Sequence, residues 1–275
     1  MSETSAVSLV CFDVVGTTVA DGSMVETAFS EAITAQGVFP GTEAYARSMA
    51  QVHRARGRPP IDILYTLFPG NQARAQAANL TFERSYRAAI DRVGLTALPG
   101  ATEVIDKLTG SGIQVCLMSG FSRSTLGLVL DTLGWWNRVN LALCPDDVQR
   151  GCPWPDLVLT AVLRLGIGDV REVAVAGDTD SDVLCGRRAG ARIVAGVLTG
   201  AHPRDRLRRA GATHVLDSVV GLLDLVTDSG ATASGPVTSA PAGPATAPPG
   251  PVSPGSVPRG SVPPQVRLEG RRAGL

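Results

Sequence analysis

Two apolar runs, each ending in aspartate and far apart in the chain, restrict the possible folds more than any other feature. Val7 to Phe12 deliver Asp13 into the turn Val14-Val15-Gly16-Thr17-Thr18, and Val173 to Ala176 deliver Gly177-Asp178-Thr179-Asp180-Ser181-Asp182. Runs of this length and composition read as strands, which places both acidic clusters at strand ends. In an open parallel α/β sheet, ligands bind outside the carboxyl ends of the strands, so two such ends meet at one site despite their separation in sequence. A pocket of carboxylate oxygens suits Mg²⁺, which prefers oxygen ligands and retains waters.

The remaining pattern agrees with such a sheet. From Val7 to Ala20 a strand leads into an acidic loop, and from Met24 to about Val93 the periodicity turns helical, with Val25, Ala28, Phe29, Ala32 and Ile33 at helical spacing. Ile61 to Phe68 and Gln72 to Val93 continue it, punctuated by Gly57, Pro59-Pro60 and Pro69-Gly70. After Leu98-Pro99-Gly100, helices (Ala101 to Thr109, from near Ser122, Pro155 to about Leu165, Ser181 to Ala189, Pro203 to Ala210) alternate with strands. Those strands are Ile113 to Met118, Asn140 to Leu143, Glu172 to Ala176, Ile193 to Val197 and His214 to Leu216. The expectation is an α/β protein, a Rossmann-like doubly wound parallel sheet with an inserted all-helical cap. Residues 1–20 and 98–228 form the core on this reading and 21–97 the cap, with crossings near Asp21-Gly22 and Pro99-Gly100 that allow hinge closure. Residues 229–275, rich in Pro, Gly, Ser and Ala, are expected to be a disordered tail, because they hold almost no large apolar side chain to bury.

The 275 residues carry 25 basic and 25 acidic side chains, so no bulk charge favours nucleic acid or a membrane, and a small molecule is the expected partner. Cys11, Cys116, Cys144, Cys152 and Cys185 show no metal-ligand pairing and read as reduced, buried thiols of a cytoplasmic protein. The first residues lack a basic region followed by a long apolar core, and no apolar stretch reaches the ~20 residues that span a bilayer. Trp135-Trp136 suggest a helix-end core contact or a homodimer interface.

Four motifs in order, CFDVVGTTV, CLMSGFSR, VAVAGDTDSD and GVLTGAHPRDRLRRAGATHVLDS, resemble the haloacid dehalogenase superfamily of aspartate-nucleophile phosphohydrolases, and within it the phosphonatase-like branch. The resemblance covers about residues 7 to 226. It implies that Asp13 attacks phosphorus and forms an aspartyl-phosphate that water hydrolyses. It implies Mg²⁺ ligation by Asp13, by the backbone carbonyl of Val15 and by Asp178, with Asp182 holding a metal-bound water or steadying the site. By the same resemblance Ser119 contacts the phosphoryl group, helped by amides at the start of the next helix, where a lone serine would otherwise read as an N-cap. Thr17 and Gly120, in the same motifs, join the expected substrate-binding set.

Two positions depart from the family pattern. Family phosphatases carry a second aspartate at the position of Val15, where it protonates the leaving oxygen and later activates water. Valine can do neither, and such help is worth about 10²–10⁴ in rate. Phosphonatases have a small apolar residue there, because a cap lysine forms a Schiff base with the substrate aldehyde. Lys107 is the single lysine here and precedes the Ile113 strand, while Pro60 stands where the cap lysine would be in Arg56-Gly57-Arg58-Pro59-Pro60-Ile61-Asp62. Arginine, with pKa above ~12, does not readily form the imine, so phosphonoacetaldehyde hydrolysis is not expected. The second departure is Cys152, where the family has Lys or Arg before the proline to neutralise nucleophile and phosphate. Arg123 and Arg150 are the candidate replacements, Arg58 joins the substrate-binding set, and His53 is a candidate acid-base group. No His or Lys adjoins Cys152 to make it a nucleophile.

The expected function is a Mg²⁺-dependent phosphohydrolase acting through an aspartyl-phosphate on a small phosphorylated metabolite. The alternative is a catalytically impaired homologue that binds a phosphoryl ligand or another protein. The retained Asp13, Ser119, Asp178 and Asp182 favour the enzyme; Val15 and Cys152 favour the alternative.

Overall fold

Strand-forming runs that are apolar at successive positions need cover on both faces, and the helices supply it. The computed structural model describes residues 6–20 and 22–227; Asp21 and the expected tail, residues 229–275, lie outside the described residues. The strands are β1 (Leu9–Asp13), β2 (Gln114–Met118), β3 (Leu141–Leu143), β4 (Val173–Gly177), β5 (Ile193–Val197) and β6 (His214–Leu216), all parallel in the order β3-β2-β1-β4-β5-β6. From β1 the chain builds outward to β2 and β3, then returns to the other side of β1 as β4. The order therefore reverses at β1, where a ligand crevice forms.

Alternation along the strands assigns the two faces. Val10 and Phe12 of β1 and Ala174 and Ala176 of β4 point into one core, and Leu9, Cys11, Val173 and Val175 into the other. The first core is completed by helices α1 (Met24–Thr34), α2 (Glu43–Arg54), α3 (Pro60–Leu67) and α4 (Gln72–Val93), all inserted between β1 and the next core helix. It also takes in α5 (Ala101–Gly110), α6 (Arg123–Leu133) and, last in the chain, α10 (Leu222–Thr227). The second core is built by α7 (Asp156–Arg164), α8 (Asp180–Ala189) and α9 (Arg204–Ala210).

Caps explain where the helices start. Thr42, Asn71 and Ser122 accept backbone amides at the starts of α2, α4 and α6, and Pro60 occupies the first turn of α3. Within the insert, Phe29 and Phe82 meet at 4.6 Å between ring centroids, and Tyr86 meets Phe121, three residues past the end of β2, at 4.7 Å. That aromatic seam ties the insert to the strand end that carries Ser119. Trp135 is buried at the end of α6, as the helix-end reading expected, whereas Trp136 is exposed and donates to Asp131. Among the described residues no helix is long and apolar enough to cross a membrane.

Candidate active site at the strand ends

Because β1 pairs with β2 and β4 in register, Asp13 stands opposite Met118 and Phe12 opposite Ala176, so Ser119 and Asp178 flank Asp13 from the two neighbouring strand ends. Past Asp13 the chain turns back: the amides of Thr18 and Val19 donate to the Val14 carbonyl at 2.9 and 2.8 Å. Gly16 holds φ 92°, and a Cβ there would stand 2.6–2.9 Å from the Asp178 carboxylate, so only glycine lets the two strand ends approach this closely.

Each carboxylate is held by its own donors. Thr17 Oγ1 donates to Asp178 Oδ1 at 3.1 Å and the Ala201 amide to Asp178 Oδ2 at 2.6 Å. Thr199 Oγ1 donates to the Gly16 carbonyl at 2.7 Å, so the loop after β5 braces both acidic turns. Asp182 Oδ2 accepts the Thr179 amide at 3.0 Å and Thr179 Oγ1 at 2.6 Å, closing a capping box at the start of α8. Ser119 is not a helix cap, since Ser122 takes that role for α6; its Oγ accepts the Phe121 amide at 3.1 Å.

One ligand oxygen from each of Asp13, Asp178 and Asp182 lies within 4.8 Å of the others. Burial, then the charges of Asp182 and Asp178, push the Asp13 carboxyl well above its usual range. Burial and Asp178 push Asp182 up to about 7. Burial raises Asp178 as well, opposed by the Ala201 amide, the Thr17 hydroxyl and the charge of Arg56. Three carboxylates crowded away from water repel one another, and a hard divalent cation with oxygen ligands is what relieves that repulsion. The donor set fits Mg²⁺.

Over these groups lies a cavity of about 390 Å³. Its lining includes the polar groups Asp13, Asp178, Ser119, Thr179, Thr199, Arg56 and Arg58 and the apolar side chains of Val15, Val25, Phe29, Ile63, Leu98 and Phe121. The two arginines come from the loop between α2 and α3, pressed onto the strand ends at Gly57, where a Cβ would collide with Thr179 and Ser181. A Cβ at Gly120 would sit 3.5 Å from the Arg58 carbonyl, which brings the same loop against the end of β2.

The candidate replacements for the missing cation lie elsewhere. Arg123 bonds to Asp147 and to the Ala142 carbonyl at 3.1 Å, while Arg150 pairs with Asp156 at 2.9 Å and stacks on Trp154 with its guanidinium carbon 4.5 Å from the ring centroid. Neither lines the cavity. Each is drawn off by an acidic neighbour that the fold brings closer than the site. His53 faces Glu26 at 3.7 Å and is not among the residues that line the cavity. Arg56 was missed in the sequence; the available signal was a glycine between two arginines just where α2 must stop. Cys152 is buried in a small recess beside Asp13, Ser119 and Asp182. The Cys185 side chain and burial push its thiol well up, the opposite of an activated nucleophile.

Residues 7–190 match the model of the haloacid dehalogenase-like hydrolases. A probable phosphatase IndB of Dickeya dadantii is 31% identical over 120 residues, 44% of this chain and 51% of that protein. A phosphonoacetaldehyde hydrolase of Pseudomonas fluorescens is 35% identical over 104 residues, 38% of either chain. The matched stretches thus span about half or less of these curated relatives. A hydrolase from Pseudomonas syringae shares the fold at TM-score 0.70 and 27% identity, over 82% of this chain and 99% of that one. A phosphonoacetaldehyde hydrolase-like protein from Oleispira antarctica, at 22% identity, has the same fold with TM-score 0.70 over 85% and 97%. A family match that runs from β1 through α8, on a sheet shared with a hydrolase of detectable sequence identity, establishes that the chain belongs to the haloacid dehalogenase-like hydrolase family.

Proposed function

We propose that this protein hydrolyses a small phosphorylated metabolite, with Asp13 as nucleophile and Mg²⁺ held by Asp13, Asp178, the Val15 carbonyl and, through water or directly, Asp182. The observation that carries this reading is the cluster of Asp13, Asp178 and Asp182, of which Asp13 and Asp178 line a cavity together with two arginines. When bound, the metal would neutralise the phosphoryl oxygens as charge develops on them. Ser119 and Gly120 line the cavity, where the Ser119 hydroxyl and the Gly120 amide would orient the phosphoryl group. Arg56 and Arg58 do the work of the cation that Cys152 cannot do. Together with a divalent ion they outweigh the three carboxylates by one charge, which prepares the site for a phosphoryl dianion.

Schiff-base chemistry like that of the phosphonatases is not part of this proposal. The chain's one lysine, Lys107, lies on α5 and does not line the cavity. The deciding experiment measures turnover of 4-nitrophenyl phosphate with Mg²⁺ and other divalent ions, beside an Asp13→Asn control. Activity above that control, lost on chelation, is expected; no activity above it under any metal returns the protein to the ligand-binding alternative.

A further inference from the structure

The position beside the nucleophile limits which bond this site can break. A phosphoryl group leaves through a loose transition state in which the departing oxygen carries much of the negative charge. Something must accept that charge: a proton, or the leaving group itself. Val15 lines the cavity two residues past Asp13 and offers neither a proton nor a charge. The described titratable residues of the lining are Asp13 and Asp178, committed to nucleophile and metal, and Arg56 and Arg58; arginine as a residue type does not serve as a proton donor in catalysis. His202 is buried with Nδ1 accepting the Asp180 amide at 2.9 Å, and it lies outside the lining. Val25 and Phe29 on α1, Ile63 on α3, Leu98 and Phe121 add apolar side chains to the lining, and the hydroxyls of Thr179 and Thr199, which also line it, already donate to Asp182 and to the Gly16 carbonyl. A sugar or polyol placed there would leave hydroxyls without partners, at a cost an apolar body does not bear.

We propose that the cavity is built for phosphoryl compounds whose departing oxygen is a weak base and whose departing body is apolar: aryl or acyl phosphates rather than sugar or polyol phosphates. The inference rests on the function proposed above. An Asp13 oxygen forms a bond to phosphorus as the bond from phosphorus to the leaving oxygen breaks. That oxygen departs with the electron pair, unprotonated, as a phenolate or carboxylate. Water then bonds to phosphorus, the Asp13 oxygen takes back its pair as carboxylate, and both water protons leave with the product as dihydrogen phosphate. The second step needs no strong acid, because the group expelled from phosphorus is itself a carboxylate.

The test is a leaving-group series on the wild-type protein with Mg²⁺: aryl phosphates spanning several units of phenol pKa, acetyl and benzoyl phosphate, and glycerol and glucose phosphates. If the leaving oxygen bears nearly a full charge, kcat/KM falls by about tenfold per unit of leaving-group pKa. Alkyl and sugar phosphates are then turned over negligibly, and the acyl arm shows whether carboxylate or phenolate leaving groups are preferred. At matched pKa, a 4-alkyl substituent on the ring lowers KM relative to a 4-carboxylate. Val15→Asp is expected to raise the ratio of alkyl-phosphate to 4-nitrophenyl phosphate turnover by about 10²–10⁴. If that variant does not fold, the wild-type series still decides. Aryl turnover with a flat dependence on leaving-group pKa, or a preference for the 4-carboxylate ring, overturns this inference and leaves the proposed hydrolase standing. A series that is flat in the wild type and steep in Asp21→Asn would identify Asp21 as the acid and overturn it equally. No turnover of any compound above Asp13→Asn overturns both.

Discussion

Replacing Gly57 by alanine tests whether the arginine loop must rest on the strand ends. Gly57 holds φ 85°, and a Cβ built there stands 2.8 Å from both the Thr179 and the Ser181 Cβ atoms, with Thr179 Oγ1 closer still. Neither neighbour can step aside cheaply, because Thr179 caps α8 and is buried, as is Ser181. The left-handed backbone costs about 1–2 kcal/mol for a residue with a Cβ, and overpacking another ~1–3 kcal/mol if nothing moves. The cheaper response is for the loop to lift. Arg56 and Arg58 then move away from Asp13 and Ser119 with it, and a misplacement of about 1 Å can cost about 10² in rate. Gly57→Ala should therefore stay folded, with a melting temperature lower by roughly 2–4 °C per kcal/mol of unrelieved strain, and lose about 10²-fold in kcat/KM for 4-nitrophenyl phosphate. Calorimetry and steady-state kinetics on the same preparation separate the two effects. A folded variant with undiminished kcat/KM would show that the loop's seat on α8 does not place the cations, and the reasoning would fail.

Arg56→Ala should lower kcat/KM by about 10²–10³, whereas Arg150→Ala, whose side chain is occupied by Asp156 and Trp154, should change it less than twofold by the same assay. In chelator, Asp13→Asn should melt higher than the wild type, because it removes one of three mutually repelling buried carboxylates; Mg²⁺ should raise the wild-type melting temperature more than that of the variant. Burial pushes the Asp147 carboxyl up, but the Cys144 amide, Arg164 and Arg123 hold it below its usual range, so its contribution is full above about pH 4 and is lost as pH falls through the lower, folded value. Asp147→Asn should cost about 1.5–3 kcal/mol at pH 7 and progressively less as pH falls through the folded value, as read from urea melts over a descending pH series.

Local pattern was enough to make the sheet legible. β5 and β6 fall on the residues expected, the other strands differ only at their ends, and α4 runs from Gln72 to Val93 as its periodicity indicates, because apolar spacing and Gly or Pro stops act over neighbouring residues. Helix α2 was not resolved as a separate element in the continuous helical stretch, and α10 was not anticipated at all; its six residues are too few to show a period. The aspartates Asp13, Asp178 and Asp182 were legible as a meeting point because any parallel sheet carries its strand ends to one edge. Of the cations, Arg58 was legible and lines the cavity; the others were not. Arg123 and Arg150 are near Ser119 and Cys152 in sequence, yet Asp147 and Asp156 take them, since an arginine goes to whichever carboxylate the fold puts within reach. Arg56 opens the segment compared with the family's cap loop, yet nothing local shows that it faces the aspartates; the packing of Gly57 against the start of α8 brings it over the strand ends. Sequence by itself thus determined the strands, most of the helices and the acidic strand ends, all carried by local residue order, while the resemblance to the family marked Val15 as lacking the acid. Tertiary structure alone decided that Arg56, rather than Arg123 or Arg150, faces the acidic strand ends and that Val25, Phe29, Ile63, Leu98 and Phe121 meet in one lining, because those depend on distances between segments that no local pattern encodes.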